Sequence, residues 1–396
     1  MRPNGWSISA LSAALLLSVV GCGSTPETSP PGTTRAAQAA AESFSVLVGP
    51  KGLAVLHGTT VEPVAGVPPT EVTAAGPVAA LLPETSGAAA VSAERIVVLG
   101  PGQPPIVKPC NTCSGVAATA DAIITTRSNF REGEGFDLVF FDHRLASSRI
   151  VPAQRLTERA KTTFPAENTD PPVTLAASAS SVTVGYLSRN GGVRAGPSIV
   201  AQYSLAGKLL AQVSVDGIIG RSAVSPDGHY LALGVGGSGG ACVTVSDLAV
   251  IDLEQLTLAD LGPAIPDAYP IDPSALSEPW FLLTDLLWNA DRVSATGEIY
   301  SPPPGESCDP KPQIWQRVYH PVADELSDRQ VQARGIRWLG PGCDEVAELR
   351  GEWSERQLVK QPEGTELGRF TAVGLGAGPP ARCQQSAATG TQTSTP

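Results

Sequence analysis

Seven times along this chain two short apolar strands flank a tight turn, and that recurrence limits the fold more than any other feature. Three copies align by eye: Ala89-Ala-Val-Ser-Ala-Glu-Arg-Ile-Val-Val98, Val116-Ala-Ala-Thr-Ala-Asp-Ala-Ile-Ile-Thr125 and Leu175-Ala-Ala-Ser-Ala-Ser-Ser-Val-Thr-Val184. A fourth, Ser222–Leu233, turns at Pro226-Asp227-Gly228, where Pro presets φ and Gly accepts positive φ. Further copies lie at Leu286–Ala295, Ser45–Val55 and Gly335–Gly342, so the turns fall near residues 50, 93, 120, 179, 226, 290 and 340. Each is read as the first hairpin of a repeat. A second hairpin follows several of them, in Phe136–Asp142 with Ser148–Val151, Ile199–Ser204 with Leu209–Val213, and Leu248–Leu253 with Leu256–Leu258. Two hairpins make a four-stranded antiparallel unit that cannot bury both faces alone, and radial repetition lets neighbours cover each other.

Composition agrees. With 41 Gly and 36 Pro among 396 residues, long helices are disfavoured, whereas short strands and turns accommodate both. The expected fold is therefore all-β, a β-propeller of about seven four-stranded blades, with six or eight blades or a pair of β-sandwiches as alternatives. One spacing fits poorly: the turns near 93 and 120 are only 27 residues apart.

The fourth copy, Val224-Ser225-Pro226-Asp227-Gly228 with Leu231-Ala232 beyond it, resembles the WD40-like repeats of TolB-type bacterial β-propellers. Trp288-Asn289-Ala290-Asp291 resembles a degenerate form of the same turn. The resemblance implies a propeller fold and carries no activity with it.

At the N-terminus an uncharged run, Ser7 to Val20, ends at Val19-Val20-Gly21-Cys22. The run is too short to span a bilayer and has the size of an export signal's apolar core, behind Arg2. The tetrapeptide resembles the bacterial lipobox, which implies diacylglycerol on the Cys22 thiol and a mature protein that begins there. The expected plan is a signal at 1–21, a flexible Ser/Pro/Gly-rich tether at 22–42, the propeller at 43–373 and a low-complexity tail at 374–396. This places the protein in a bacterial cell envelope, lipid-anchored and facing the extracytoplasmic side. The net charge of −11 argues against nucleic acid and against charge-driven adhesion to anionic lipid, so contact with the membrane runs through the lipid.

The remaining cysteines are Cys110, Cys113, Cys242, Cys308, Cys343 and Cys383, an even set that suits three disulfides in an oxidising compartment. Cys110-Asn-Thr-Cys113 has thioredoxin-type spacing but lacks a helix opening at the first thiol, so a local structural bridge is the preferred reading. Redox or metal roles, and pairing with distant cysteines, stay open. Cys242 and Cys308 fall in loops read as equivalent in adjacent blades, which suggests that they pair and leave Cys343 to Cys383.

Chemistry-bearing constellations are sparse. His57, His143, His229 and His320 are spread along different repeats, and neither a nucleophile elbow nor an EF-hand loop is present. Gly234-Val-Gly-Gly-Ser-Gly-Gly240 leads into a strand, so it is read as a flexible loop and not a phosphate cradle. No catalytic, cofactor or metal residues are assigned. Long connections at 128–135, 189–197, 236–241, 263–279 and 301–312 are expected on one face, where binding residues concentrate. The candidates there are Arg189, Arg194, Asp267, Tyr269, Asp272 and Trp280. Of the tryptophans in the last third, Trp280 borders the longest connection and is the one candidate for a sugar platform. The expected function is a non-enzymatic binding or scaffold module for an envelope protein or glycan. A propeller hydrolase, lactonase or lyase is the alternative.

Overall fold

The computed structural model describes residues 44–376, apart from 68–78, 83–86, 130–134, 157–171, 188–196, 271–278, 301–312, 332–336, 340–345, 351–355 and some shorter gaps. Every regular element among them is a β-strand. The chain runs through β1 (Phe44–Gly49), β2 (Gly52–His57) and β3 (Thr60–Pro63), then β4 (Ala79–Leu81), β5 (Ala88–Ser92), β6 (Arg95–Leu99) and β7 (Ile106–Pro109). Next come β8 (Cys113–Ala118), β9 (Ile123–Asn129), β10 (Gly135–Phe141) and β11 (Ser148–Pro152), then β12 (Val173–Ala177), β13 (Ser181–Tyr186), β14 (Ser198–Ser204) and β15 (Leu209–Val215). They are followed by β16 (Ile218–Val224), β17 (Tyr230–Gly240), β18 (Val243–Asp252) and β19 (Thr257–Leu258), and by β20 (Trp280–Asn289), β21 (Arg292–Tyr300), β22 (Gln313–His320) and β23 (Glu325–Gln330). Last are β24 (Arg337–Leu339), β25 (Val346–Arg350), β26 (Arg356–Gln361), β27 (Thr365–Phe370) and β28 (Ala372–Gly376).

These strands form successive antiparallel four-stranded meanders. The first has the order β28-β1-β2-β3, so the final strand completes the sheet that the chain began. The second is β4 to β7, the fifth β16 to β19, the sixth β20 to β23 and the seventh β24 to β27. The third (β8 to β11) and fourth (β12 to β15) merge into one eight-stranded sheet, joined by a parallel bridge between Gly115 and Thr174. Gly115 has φ +66°, and a Cβ there would lie 2.2 Å from the Thr174 carbonyl oxygen. Only glycine lets these two backbones approach so closely.

Packing shows why the meanders hold together. Each apolar cluster is built from two successive meanders. Val46, Val48 and Leu53 of the first meet Ala88, Val97 and Leu99 of the second. Ile96 and Val98 of the second meet Val116 and Val139 of the third. Phe136 and Leu138 of the third meet Val184 and Tyr203 of the fourth. Leu175 and Val200 then pack on Leu231 and Ile251 of the fifth, and Leu248 and Val250 of the fifth on Phe281 and Ile299 of the sixth. Leu358 and Phe370 of the seventh return to Leu47 and Leu56 of the first. Along the inside, β28 touches β4, β4 touches β8, β8 touches β12, β12 touches β16 and β16 touches β20. The outermost strands β3, β7 and β11 are largely exposed. This is a propeller-like arrangement: each of the first five meanders buries both faces because a neighbour lies on each side.

Three sequence expectations need correction. From the third meander onward the repeated turn joins the first and second strands, as expected. In the first two it joins the second and third: β1 to β2 near residue 50, and β5 to β6 near residue 93. The short interval to the turn near 120 follows, because two different turns of the repeat were being compared. Second, the glycine run is not a flexible loop. β17 stays paired with β18 as far as Gly240 opposite Val243. Gly236 lies against β18 so closely that a Cβ would sit 2.4 Å from the Val245 carbonyl oxygen. The β-branched Val243-Thr244-Val245 supplies the strand preference that the glycines lack. Third, the last strand runs to Gly376, past the expected limit of the body at 373.

Candidate functional site

Of the residues expected on a binding face, Arg189, Arg194 and Asp272 lie outside the described residues. Asp267 is exposed in the connection between β19 and β20. Tyr269 is a correction: it is 6% exposed and belongs to the core, edge-on to Trp315 with ring centroids 5.9 Å apart. A large ring in a long connection docks where it can leave water, and the apolar seam of the fifth and sixth meanders offers that place. Trp280 opens β20, half-buried.

Trp280 pairs across the sheet with Tyr300, the last residue of β21. Their rings stack at 5.6 Å with 10° between planes. The two rings mark one end of a face that differs from the rest of the protein. On β20 to β22, Phe281, Leu283, Val293, Ala295, Ile299, Trp315 and Tyr319 point toward the fifth meander. Alternation sends the intervening residues to the opposite face. That face carries Leu282 on β20, Ser294, Thr296, Glu298 and Tyr300 on β21, and Ile314, Gln316, Val318 and His320 on β22, with Ser327 and Arg329 opposite them on β23. A bulge between Leu283 and Asp285 shifts the register, so Asp285 pairs with Thr296 and joins the polar side.

Hydrogen bonds order these groups. Arg329 donates from Nε and Nη2 to Gln316 Oε1 at 2.9 and 2.6 Å. Gln316 Nε2 donates to Thr296 Oγ1 at 3.4 Å. Thr284 Oγ1 donates to the Thr296 carbonyl at 3.1 Å, and the Tyr300 hydroxyl donates to Glu298. Asp285 and Glu298 are buried carboxylates, 6% and 3% exposed. Aromatic stack, amide, guanidinium and carboxylates thus share one sheet face.

Other charged groups brace strands. Arg317, 1% exposed, donates to Asp328 at 3.0 Å within its own sheet, and to Asp247 at 3.0 Å and the Leu261 carbonyl at 3.3 Å from the fifth meander. Burial raises the Asp247 pKa, against the pull of the Arg317 guanidinium. Arg127 and the opposite Asp137 form an ion pair at 2.6 Å. His320 Nε2 lies 2.8 Å from Asp291 while Nδ1 accepts from the Ala323 amide, which fixes the tautomer. His143 Nε2 contacts the Thr119 carbonyl at 3.0 Å. Among the described residues no group of three or more His, Cys, Asp or Glu is placed to hold a metal ion.

Cys110 and Cys113 are disulfide-bonded, with Cα atoms 5.5 Å apart. The bridge links the end of β7 to the start of β8 and so ties the second meander to the third. A strand precedes it and a strand follows, without the helix that a thioredoxin-type site requires. Cys22, Cys242, Cys308, Cys343 and Cys383 lie outside the described residues.

No protein-family model matches the chain, and no curated protein matches it. Among solved structures it is similar to tricorn protease at 9% identity, over 82% of this chain and 38% of that one, with a TM-score of 0.33. It is similar to the β-propeller domain of the Trilobed protease from Pyrococcus furiosus at 10% identity, over 73% of this chain and 80% of that one, with a TM-score of 0.35. The WD40 domain of SCAP from fission yeast matches at 11% identity over 85% of each chain, with a TM-score of 0.34. The chain therefore spans well under half of tricorn protease.

Proposed function

We propose that this chain is an exported bacterial lipoprotein, anchored through Cys22, whose meanders close as a seven-bladed β-propeller of the TolB-like kind. The propeller serves as a binding module for an envelope protein or glycan on the extracytoplasmic side. Residues 22–42 act as its tether and the residues after β28 as a tail. The Val19-Val20-Gly21-Cys22 junction supports the anchor, and the cyclic order of the apolar seams supports the ring.

One observation favours binding over catalysis. Charged side chains are committed to holding strands and turns, in Arg317 with Asp247 and Asp328, in Arg127 with Asp137, and in Asp142 capping its own turn. A second reading rests on Asp285 and Glu298, two buried carboxylates on one face, which suit a propeller hydrolase, lactonase or lyase.

The test combines fractionation with capture. Wild type should take up labelled palmitate and sediment with membranes, while Cys22→Ala should be unlabelled and soluble. Cross-linking in cells should then retain an envelope protein or a glycan on the wild-type body. An alanine variant that stays acylated and membrane-bound defeats the anchor. Substrate turnover abolished by Asp285→Asn or Glu298→Gln replaces the binding reading with the enzymatic one.

A further inference from the structure

The turn closed by Cys110 and Cys113 is a place where three meanders meet. The Cys110 amide donates to the Glu94 carbonyl at 2.8 Å, in the turn between β5 and β6 of the second meander. Cys113 opens β8 and stands opposite Arg127 on β9 of the third. Two residues further on, Gly115 makes the bridge to Thr174 of the fourth. From this arrangement we infer that the Cys110–Cys113 disulfide is a redox-sensitive clamp. Oxidised, it holds Gly115 against Thr174. Reduced by a dithiol, it releases that contact while the sheets stay folded.

Access decides which sulphur is attacked. Asn111 is exposed and Cys113 half-buried, whereas Cys110 is 6% exposed, so an incoming thiolate reaches the Cys113 sulphur. The Cys110–Cys113 bond breaks as the new S–S bond forms, and Cys110 leaves as a thiolate that takes up a proton. The reductant's second thiol then attacks the mixed disulfide and frees Cys113. Two electrons thus pass from the dithiol, now itself a disulfide, to the two cysteines. Without a helix opening at the first thiol, the pair is the target of this exchange and not its catalyst.

Two observations make the opening local. The bond spans only two intervening residues, so it restrains the unfolded chain little and its loss costs the fold as a whole little. What it fixes is the backbone beside it. Thr112 is held at φ +60°, a left-handed angle that a β-branched residue resists. Its Oγ1 donates to the Ser128 carbonyl at 3.2 Å, and its own carbonyl accepts from the Ser128 amide at 3.4 Å. With the sulphurs apart, Thr112 returns to negative φ, which turns the chain entering β8 and withdraws Gly115 from Thr174. Ser128 lies at the end of β9 that leads into the 128–135 connection, so the clamp also reaches a connection expected to carry binding residues.

The test is hydrogen exchange on the full chain in detergent micelles, with dithiothreitol as the reductant and alkylation mapped by peptide to show which cysteines are free. Cys110 and Cys113 should become alkylated while the far-ultraviolet spectrum keeps its β signature. Exchange in the peptides holding Gly115 and Thr174 should then quicken about tenfold or more, with β18 and β21 unchanged. Oxidised dithiothreitol should restore the protection. Because dithiothreitol reaches any other disulfide, the double variant Cys110→Ser, Cys113→Ser gives the same comparison without reductant and should show the same local quickening. Cysteines that open only when the whole chain unfolds, equal exchange at Gly115 and Thr174 in the two states, or protection lost evenly over every sheet overturns the clamp. A serine variant that keeps wild-type protection at both sites overturns it too, and one that does not fold marks the bond as a purely structural staple.

Discussion

Arg317 on β22 reaches Asp247 on β18 at 3.0 Å across the seam of the fifth and sixth meanders, seventy positions away in the chain. The same guanidinium holds Asp328 in its own sheet. Arg317→Met leaves Asp247 and Asp328, whose side chains are 29% and 16% exposed, without their cation. The variant should lose about 1–3 kcal/mol of stability, read from the shift of its denaturant midpoint. Adding Asp247→Leu and Asp328→Leu to it should return much of that loss, since the penalty comes from uncompensated charge.

Asp142 closes the turn between β10 and β11. The Ser147 hydroxyl, and with it the amides of Ala146, Ser147 and Arg144, holds the carboxyl at about 2 against an ordinary 3.8. A lowered folded-state pKa means that its contribution is complete above pH 3.8 and fades as pH falls toward 2. Wild type should therefore melt above Asp142→Asn at pH 5, with the gap closing by pH 2. A gap that stays constant over that range would contradict the assignment.

Tyr203 behaves in the opposite sense. Burial pushes its hydroxyl up to about 12, although the Tyr186 hydroxyl bonds to it at 2.7 Å. Its neutral form is favoured in the folded protein, so stability should hold below pH 10 and decline as pH rises from 10 toward 12. Absorbance titration of tyrosinate should show a late-ionising component shared with Tyr186 and Tyr319, and Tyr203→Phe should reduce its amplitude.

Gly115→Ala should break the bridge between the third and fourth meanders. The added Cβ meets the Thr174 carbonyl at a backbone angle that L-residues resist. A loss of about 1–3 kcal/mol from strain alone is expected, plus the cost of moving β8 off β12. Hydrogen exchange should show new opening at Gly115 and Thr174 while β9 and β10 stay protected.

Much of this fold was legible because its repeating unit is local. Ser225-Pro226-Asp227-Gly228 announces a turn through residues that make it themselves: Ser225 Oγ meets Asp227 at 2.5 Å and takes the Tyr230 amide at 2.9 Å. Which strand lies innermost depends on partners far away, so the turns at 50 and 93 were assigned to the wrong pair of strands. Trp280 was legible as a large ring beside a long connection, and it opens β20 against Tyr300. Glu298, Thr296 and Gln316 were missed, although Val-Ser-Ala-Thr-Gly-Glu-Ile-Tyr already alternates apolar with polar. That pattern fits any half-exposed strand, and only the sheet shows that the polar side of β21 continues onto β22 and β23. Asp285 was beyond reach, because a bulge decides which way it points.

The final strand, β28, lies beside β1 and pairs through Val46, Leu47 and Val48. A ribosome delivers β1 first and β28 last. Through synthesis and any crossing of a membrane, β1 therefore waits with an open edge that nothing nearby in sequence can cover. Pairing of β1 with β28 waits until residues 372–376 have been made. Truncation anywhere upstream of residue 372 leaves that edge bare, an adhesive strand that invites pairing between molecules.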